Sequence, residues 1–510
     1  MSGVDILAAH AATHPDKPAL VAGGRTVSFA ELNRRVNQAA RALRSLGISR
    51  GDRVAGMAYN SIEGVEVTHA CRKVQAVGVP VNYRLRGGEV AYLLNDSGAS
   101  VVFAGPEFVS VIDSARDQVG GERTYVSYGR EAPQGWLSYE EVLDGHDGAD
   151  VEMPEDSALG ASMIYTSGTT GAPKGAHRPN GIGLDYVLQV VSLFEISGSD
   201  VHLLCGPGYH SAVGFFALLH LMLGGTLVIQ PKFDASQALA LIDRHHVTTT
   251  FMAPTLLQRL VDLPEPERRA ADTSSLRAII LGAAPCPISL KERAIGWLGD
   301  VIWEFYGSTE TGVNTLLRPE EQLRKPGSCG RAAPGQEIRL LDAGGHEVPD
   351  GTPGELWVRN ASLAEYFNRP EATQKSMRDG FFSVGDIAYR DADGYYYICD
   401  RAVDMVISGG VNIDPAEVEA VLHAHPAVRD AAVIGVPDAQ WGEAVKALVA
   451  LRPGASAGEA ELIAWCAERV AGYKKPRSID FVEELPRDAA GKLLKRRIRE
   501  PYWEGAARRV

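Results

Sequence analysis

The residues with the densest chemistry run from Tyr165 to Gly175, as Tyr-Thr-Ser-Gly-Thr-Thr-Gly-Ala-Pro-Lys-Gly. Eight of these eleven are Gly, Ser, Thr or Lys. No apolar period runs through them, so the stretch is neither a core helix nor a half-buried strand. Gly168, Gly171 and Gly175 let the backbone approach a ligand closely. Successive backbone N–H groups in such a loop form a concave anion site. Thr166, Ser167, Thr169 and Thr170 add hydroxyl donors, and Lys174 adds a mobile cation. The chemistry is a grip on phosphate. A plain Gly/Ser linker has no need of so many threonines or of the Pro-Lys-Gly ending. The loop is not a P-loop of the G-x-x-x-x-G-K-[ST] kind, because Gly175 follows the lysine.

Four further clusters carry polar groups. Tyr306-Gly307-Ser308-Thr309-Glu310 follows the strand-like run Val301 to Phe305. A tyrosine beside a glycine can offer its ring face to a base, Thr309 can bond a phosphate oxygen, and Glu310 is a hard oxygen ligand for Mg²⁺. Gly385-Asp386 stands fourteen residues before Asp400-Arg401, and a carboxylate at a strand end can take both hydroxyls of a ribose. Ser408-Gly409-Gly410 is a glycine turn before a helix, and Gly491-Lys492 lies in a loop near the C-terminus. Singly, each of these also reads as an ordinary turn, and Lys492 as a solvated lysine.

The elements that hold these clusters alternate between strand and helix. Ser28 precedes an amphipathic stretch, Phe29 to Leu46, with Glu31 at capping-box spacing. Val54 to Ala58 reads as a strand, Ser61 to Val77 as a helix stopped by Gly78, and Pro80-Val81-Asn82 as the next strand. Residues 105–155 read as variable surface. Alternation resumes after the phosphate loop, through Thr226–Ile229, Ala235–His246, Thr249–Met252 and Arg277–Leu281. The pattern predicts an α/β fold: two α/β subdomains with largely parallel sheets. From Gly327 onward, short runs split by Gly, Pro and Asp predict a small β-rich lobe, and a compact α+β unit follows Arg401. The 510 residues suggest about three to four lobes.

A net charge of −13 argues against nucleic-acid binding. No apolar run approaches the roughly 18 residues of a membrane span. No secretory pattern opens the chain, so a cytoplasmic location is expected. The six cysteines form no Cys-x-x-Cys pair, and free thiols are expected.

Taken together and in order, TSGTTGAPKG, YGSTE, GDIAYRDADGYYYICDR, SGGVNIDPAEVE and PRDAAGKLLK resemble the adenylate-forming superfamily of acyl-CoA synthetases, adenylation domains and luciferases. The resemblance covers nearly the whole chain and is strongest to bacterial ligases of fatty, aromatic or alicyclic acids. It implies an N-terminal domain over 1–400, a hinge at 401–403 and a mobile C-terminal domain over 404–510. It also implies ATP, Mg²⁺ and CoA, with an acid converted to its acyl-adenylate and then to a thioester. Thr166, Ser167, Gly168, Thr169, Thr170 and Lys174 would hold the β- and γ-phosphates, Thr309 the α-phosphate and Glu310 the metal. Tyr306, Gly307 and the Gly282-Ala283-Ala284 turn would frame adenine, while Asp386 and Arg401 would hold ribose. Lys492 would bridge the acid and the α-phosphate. Rotation of the C-terminal domain would bring Ser408, Gly409 and Gly410 to the site for CoA.

The resemblance places the acyl pocket at Tyr209, His210, Ser211, Val213, Gly214 and Phe215, with Gly312 and Val313. His210 matches a ring that gates the carboxylate. Small residues make this space wide, and no Lys or Arg of the set offers a partner for a second acid group. A hydrophobic, bulky, even polycyclic monocarboxylic acid is therefore expected. Val403 stands where relatives carry Lys or Asp, and a stiff β-branched hinge keeps open a half-reaction enzyme or a non-catalytic acyl-nucleotide binder. A carrier-protein thiol in place of CoA, and a homodimer, also stay open.

Overall fold

The computed structural model describes residues 5–153, 161–166, 173–178, 181–283, 286, 288–342, 344–401, 406–413, 415–486 and 495–504. Ser167, Gly168, Thr169, Thr170, Ala284, Val403 and Lys492 lie outside them, as does the side chain of Arg401.

The N-terminal part holds two mainly parallel sheets. One has eight strands, centred on Arg53–Met57 between Val77–Pro80 and Val101–Ala104. The other has nine, with a parallel core from Ile302–Ser308 through Ala278–Leu281, Thr249–Met252, Val201–Leu204 and Thr226–Ile229 to Pro18–Ala22. The strand Pro18–Ala22 and its hairpin partner Arg25–Ser28 thus join the second sheet, although they come first in the chain. A separate antiparallel sheet over 337–401 forms the small β-rich lobe. The C-terminal unit has a five-stranded sheet with the helices Pro415–His423, Glu459–Ala467 and Lys495–Trp503.

Local chemistry explains the helices. In Phe29–Ser45, the Ser28 side chain accepts from the Glu31 N–H, satisfying an end donor that the helix cannot. Phe29, Leu32, Val36, Ala39 and Leu43 recur at helical spacing and are buried. Full burial of each larger apolar side chain contributes about 1.5–3 kcal/mol. They enter one core with Val54, Phe194, Phe216 and Ile280, which joins both sheets.

Two expectations change. The predicted helix over 61–77 ends at Lys73, and the next strand begins at Val77. Gln75 takes a left-handed φ of 59°, and the Ala76 N–H closes onto Cys71 O at 2.8 Å. That local closure stops the helix before Gly78 is reached. Residues 105–155, expected as variable surface, add the parallel strands Thr124–Ser127 and Leu137–Ser138 to the first sheet. Val126 is fully buried there, and strands of four and two residues are too short for their period to stand out among Gly and Asp. Among the described residues, Cys71, Cys205, Cys286, Cys329 and Cys466 are free thiols. No described helix is long and apolar enough to cross a membrane.

Candidate active site

Residues from four of the sequence clusters, Thr166 and Lys174, Gly307 to Glu310, Gly385, and Gly409 with Gly410, line one cavity of about 1100 Å³ between the two sheets and the C-terminal unit, while Tyr306 and Asp386 stand behind its lining. Its wall includes Thr166, Lys174, His210, Thr309, Glu310 and Gly410. Thr166 ends the strand Ala161–Thr166, and Lys174 opens the antiparallel strand beside it. Thr166 Oγ1 donates to Glu310 Oε1 at 3.0 Å. The Tyr366 hydroxyl donates to the same oxygen at 3.0 Å, and Lys174 lies 5.0 Å from the Tyr366 ring centre. The phosphate-loop edge and the Glu310 cluster are therefore one polar constellation.

Tyr306 and Gly307 lie within the strand Ile302–Ser308 rather than past its end. The register shifts between them against Gly312–Leu317. A Cβ on Gly307 would collide with the Gly312 carbonyl, and one on Gly312 with the Tyr186 hydroxyl, so both positions need glycine. Tyr186 accepts from the Val313 N–H at 2.7 Å. Tyr306 donates to Asp386 Oδ2 at 2.7 Å, and Asp386 pairs in register with Arg401. Ala283 takes φ 70° directly after Gly282.

His210 stands at the N-terminal end of the buried helix Ser211–Met222. Burial, aided by Arg84, draws its pKa down to about 4, so the ring is neutral at pH 7. Ser211 and Thr309 hydroxyls meet at 3.1 Å. The helix carries Val213, Gly214 and Phe215 along the same wall. A Cβ on Gly214 would come within 2.9 Å of the Gly208 carbonyl. Tyr209 packs edge-on to Tyr83 at 5.1 Å.

Arg178 is a residue that the motifs do not single out. It is buried, and its guanidinium donates to Ser362 O at 2.7 Å, Thr309 O at 2.7 Å and Glu310 O at 3.2 Å. It thereby ties down the backbone beneath Thr309 and Glu310. Tyr366 was also missed. No motif marks either residue.

The C-terminal unit docks on this cavity through its glycine turn. Gly409 and Gly410 take φ 60° and 76°. Thr255 Oγ1 donates to Gly409 O at 3.3 Å. Lys474 crosses the junction, 2.7 Å from Glu89 and 2.8 Å from Glu417. Asn82 donates to the Tyr473 hydroxyl at 2.8 Å, and Arg86 to Val470 O at 2.9 Å. Burial, against the pull of Lys474, raises the Glu417 carboxyl from 4.5 to about 7. A carboxyl raised in the docked state favours docking below its free value, and that contribution is lost as pH rises through about 7. The docked fraction, followed by distances between labels on the two parts, should therefore fall between about pH 5 and about pH 8. Glu417→Gln should flatten that dependence; an unchanged profile would discard this origin.

Among the described residues no group of three or more metal-ligating side chains occurs, and Glu310 is the carboxylate bonded to Thr166 at the edge of the phosphate loop. The fold and this constellation are those of a nucleotide-using enzyme with a large N-terminal domain and a small C-terminal one. A model of the AMP-binding enzyme family matches residues 7–367, and one of its C-terminal domain matches 417–492. The chain belongs to this family, the adenylate-forming superfamily. It is 37% identical to feruloyl-CoA synthase of Amycolatopsis over 96% of each chain, and 36% identical to indoleacetate–CoA ligase of Aromatoleum aromaticum over 96% of each. A double mutant of o-succinylbenzoate CoA synthetase from Bacillus subtilis, bound with its product analogue OSB-NCoA, superposes with TM-score 0.85 at 29% identity, over 98% of this chain and 99% of that one. The same enzyme with AMP gives 0.70 at 29% identity, over 98% of each chain.

Proposed function

We propose that this protein is an acyl-CoA ligase that activates a bulky, hydrophobic carboxylic acid as its acyl-adenylate and passes the acyl group to CoA. The observation that carries this reading is the single cavity joining Thr166, Lys174 and Glu310, past His210 and Thr309, to the glycine turn. Its polar groups suit ATP: hydroxyls and a lysine donate to the β- and γ-phosphates and Thr309 to the α-phosphate, while the Asp386 carboxylate accepts from the ribose hydroxyls beside Arg401. Tyr306, Gly307 and the turn from Gly282 frame adenine. Glu310 suits Mg²⁺, which commonly takes one or two carboxylates with phosphate oxygens and water. An ion held by Glu310 would supply positive charge to offset the phosphates. Thr166 and Tyr366 both donate to Glu310 Oε1 and so fix the carboxylate in the cavity.

In the first step an acid oxygen attacks the α-phosphorus and the bond to pyrophosphate breaks. Lys492 supplies the cation between acid and phosphate. His210, neutral, screens the carboxylate from water without drawing it into an ion pair. In the second step the CoA sulfur attacks the acyl carbon, the bond to AMP breaks, and the thiol proton leaves to solvent. Ser408, Gly409 and Gly410 flank the thiol's approach, and a carrier-protein thiol would meet the same chemistry. The docked glycine turn supports a thiol-transfer arrangement, as does the closer superposition on the product-analogue complex than on the AMP complex. We place the hinge at 401–403, between domains spanning 1–400 and 404–510.

The test is a panel of acids with ATP, Mg²⁺ and CoA, scored for AMP and acyl-CoA. Val403 motivates a second reading, a half-reaction enzyme. Acid with ATP alone, and preformed acyl-adenylate with CoA, are assayed separately. Competence in both sinks the half-reaction; competence in neither sinks the ligase.

A further inference from the structure

Among the described residues five lysines and arginines are buried: Arg35, Lys73, Arg178, Lys291 and Lys474. Four of the five meet a carboxylate. Arg35 pairs with Glu66 at 2.5 Å and with Glu140 at 2.7 Å. Lys73 pairs with Asp5 at 2.5 Å, Lys291 with Glu304, and Lys474 with Glu89 and Glu417. Arg178 is the exception. It donates to three backbone carbonyls, those of Ser362, Thr309 and Glu310, and among the described residues no carboxylate pairs with it.

Carbonyls alone do not call for a cation. Thr311 O is satisfied by the neutral Asn360 amide at 2.8 Å, and Glu310 O also accepts from the Ala364 N–H at 2.8 Å. A guanidinium keeps its charge across the pH range of proteins, and burying a charge without an opposite one is costly. Burial draws Arg178 below the usual arginine value, while Tyr186 and Glu310 pull the other way. The Glu310 carboxylate is itself held by Thr166 and Tyr366. Arg178 also forms part of the cavity wall. Its charge is thus placed where an anion entering the cavity would balance it. Two of the carbonyls it grips belong to Thr309 and Glu310, the residues read as the α-phosphate and metal ligands.

We propose that Arg178 is the counter-charge for the phosphates of the bound nucleotide. It is a positioning residue with two effects. Its bonds hold the backbone of Thr309 and Glu310, and its charge lowers the free energy of a phosphate above them. A field acts without contact, and more strongly in a site of low dielectric. A phosphate-bearing ligand should therefore depend on this charge, and a nucleoside without phosphate should not. This inference rests on the cavity being the ATP site.

The experiment measures binding of adenosine, AMP and ATP to the full chain by calorimetry, at one Mg²⁺ concentration and without acid or CoA. The unaltered protein is compared with Arg178→Gln, which keeps hydrogen-bond donors without charge, and Arg178→Lys, which keeps charge without the planar fork. A full charge several ångströms from a phosphate, at the effective dielectric of a protein interior, changes affinity by roughly tenfold to hundredfold. The ratio of ATP to adenosine affinity should fall by that factor in Arg178→Gln, with AMP between them, and Arg178→Lys should keep most of it. Each ratio is internal to one variant, so a general loss of shape or stability cancels. A ratio unmoved in Arg178→Gln overturns the proposal, because a purely structural arginine would weaken all three ligands alike. An equal fall in Arg178→Lys and Arg178→Gln also overturns it, since charge would then not be the cause. A monocarboxylic acid and its dicarboxylic counterpart form a second arm. If Arg178→Gln moves their ratio and leaves that of ATP, the charge serves a second carboxylate and the assignment to phosphate is overturned. AMP release by the unaltered protein, with acid and CoA supplied, separates the two readings. An unmoved ratio beside intact AMP release removes Arg178 alone, whereas no binding of ATP by the unaltered protein removes the ligase reading and this inference with it.

Discussion

Lys492→Ala should lower acyl-adenylate formation by roughly two to three orders of magnitude, the usual cost of removing one preorganised charge donor from a water-excluded site. Transfer from preformed acyl-adenylate to CoA should survive. The asymmetry follows from the chemistry. Negative charge accumulates between the acid oxygen and the α-phosphate only in the first step, so a cation there does most for that step. Pyrophosphate release measures the first half, and thioester formation from supplied acyl-adenylate measures the second. Equal losses in both would remove Lys492 from the role assigned to it.

Gly410→Val should produce the opposite pattern. Gly410 has φ 76°, and a Cβ there would lie 2.9 Å from the Ala253 Cβ. The left-handed backbone costs a β-branched residue at least about 1–2 kcal/mol, and overpacking against Ala253 adds about 1–3 kcal/mol. Together they oppose the docked arrangement by about 3 kcal/mol, or roughly two orders of magnitude in its population. Thioester formation should fall by that factor while pyrophosphate release holds. Ala253→Gly in the same chain should recover the packing share but not the backbone share. A double variant no better than Gly410→Val would show that the contact with Ala253 is not what limits docking.

Much of the site was readable because its parts are local. Thr309 and Glu310 sit together in sequence, and the glycine turn announces itself by composition. Asp386 and Arg401 are separated by a short hairpin that puts them in register. What stayed hidden depends on contacts between distant segments. Arg178 acts through carbonyls more than 130 residues away, and nothing about its neighbours in sequence points there. The strands in 105–155 escaped for a different reason: strands of four and two residues carry too little period to separate from turns.

The hairpin made by Pro18–Ala22 and Arg25–Ser28 has a consequence for how the chain assembles. Leu20 pairs with Leu227, so this strand waits about two hundred residues for its neighbour, and closing so long a loop delays folding. The two subdomains are interleaved along the chain rather than consecutive. A fragment starting at Phe29 would strip the cover from Thr226–Ile229, where Leu227, Val228 and Ile229 are buried, and leave an apolar strand edge ready to pair with another molecule. Nascent chains halted before residue 229 would carry the complementary edge, so truncations at either end should aggregate rather than yield half an enzyme.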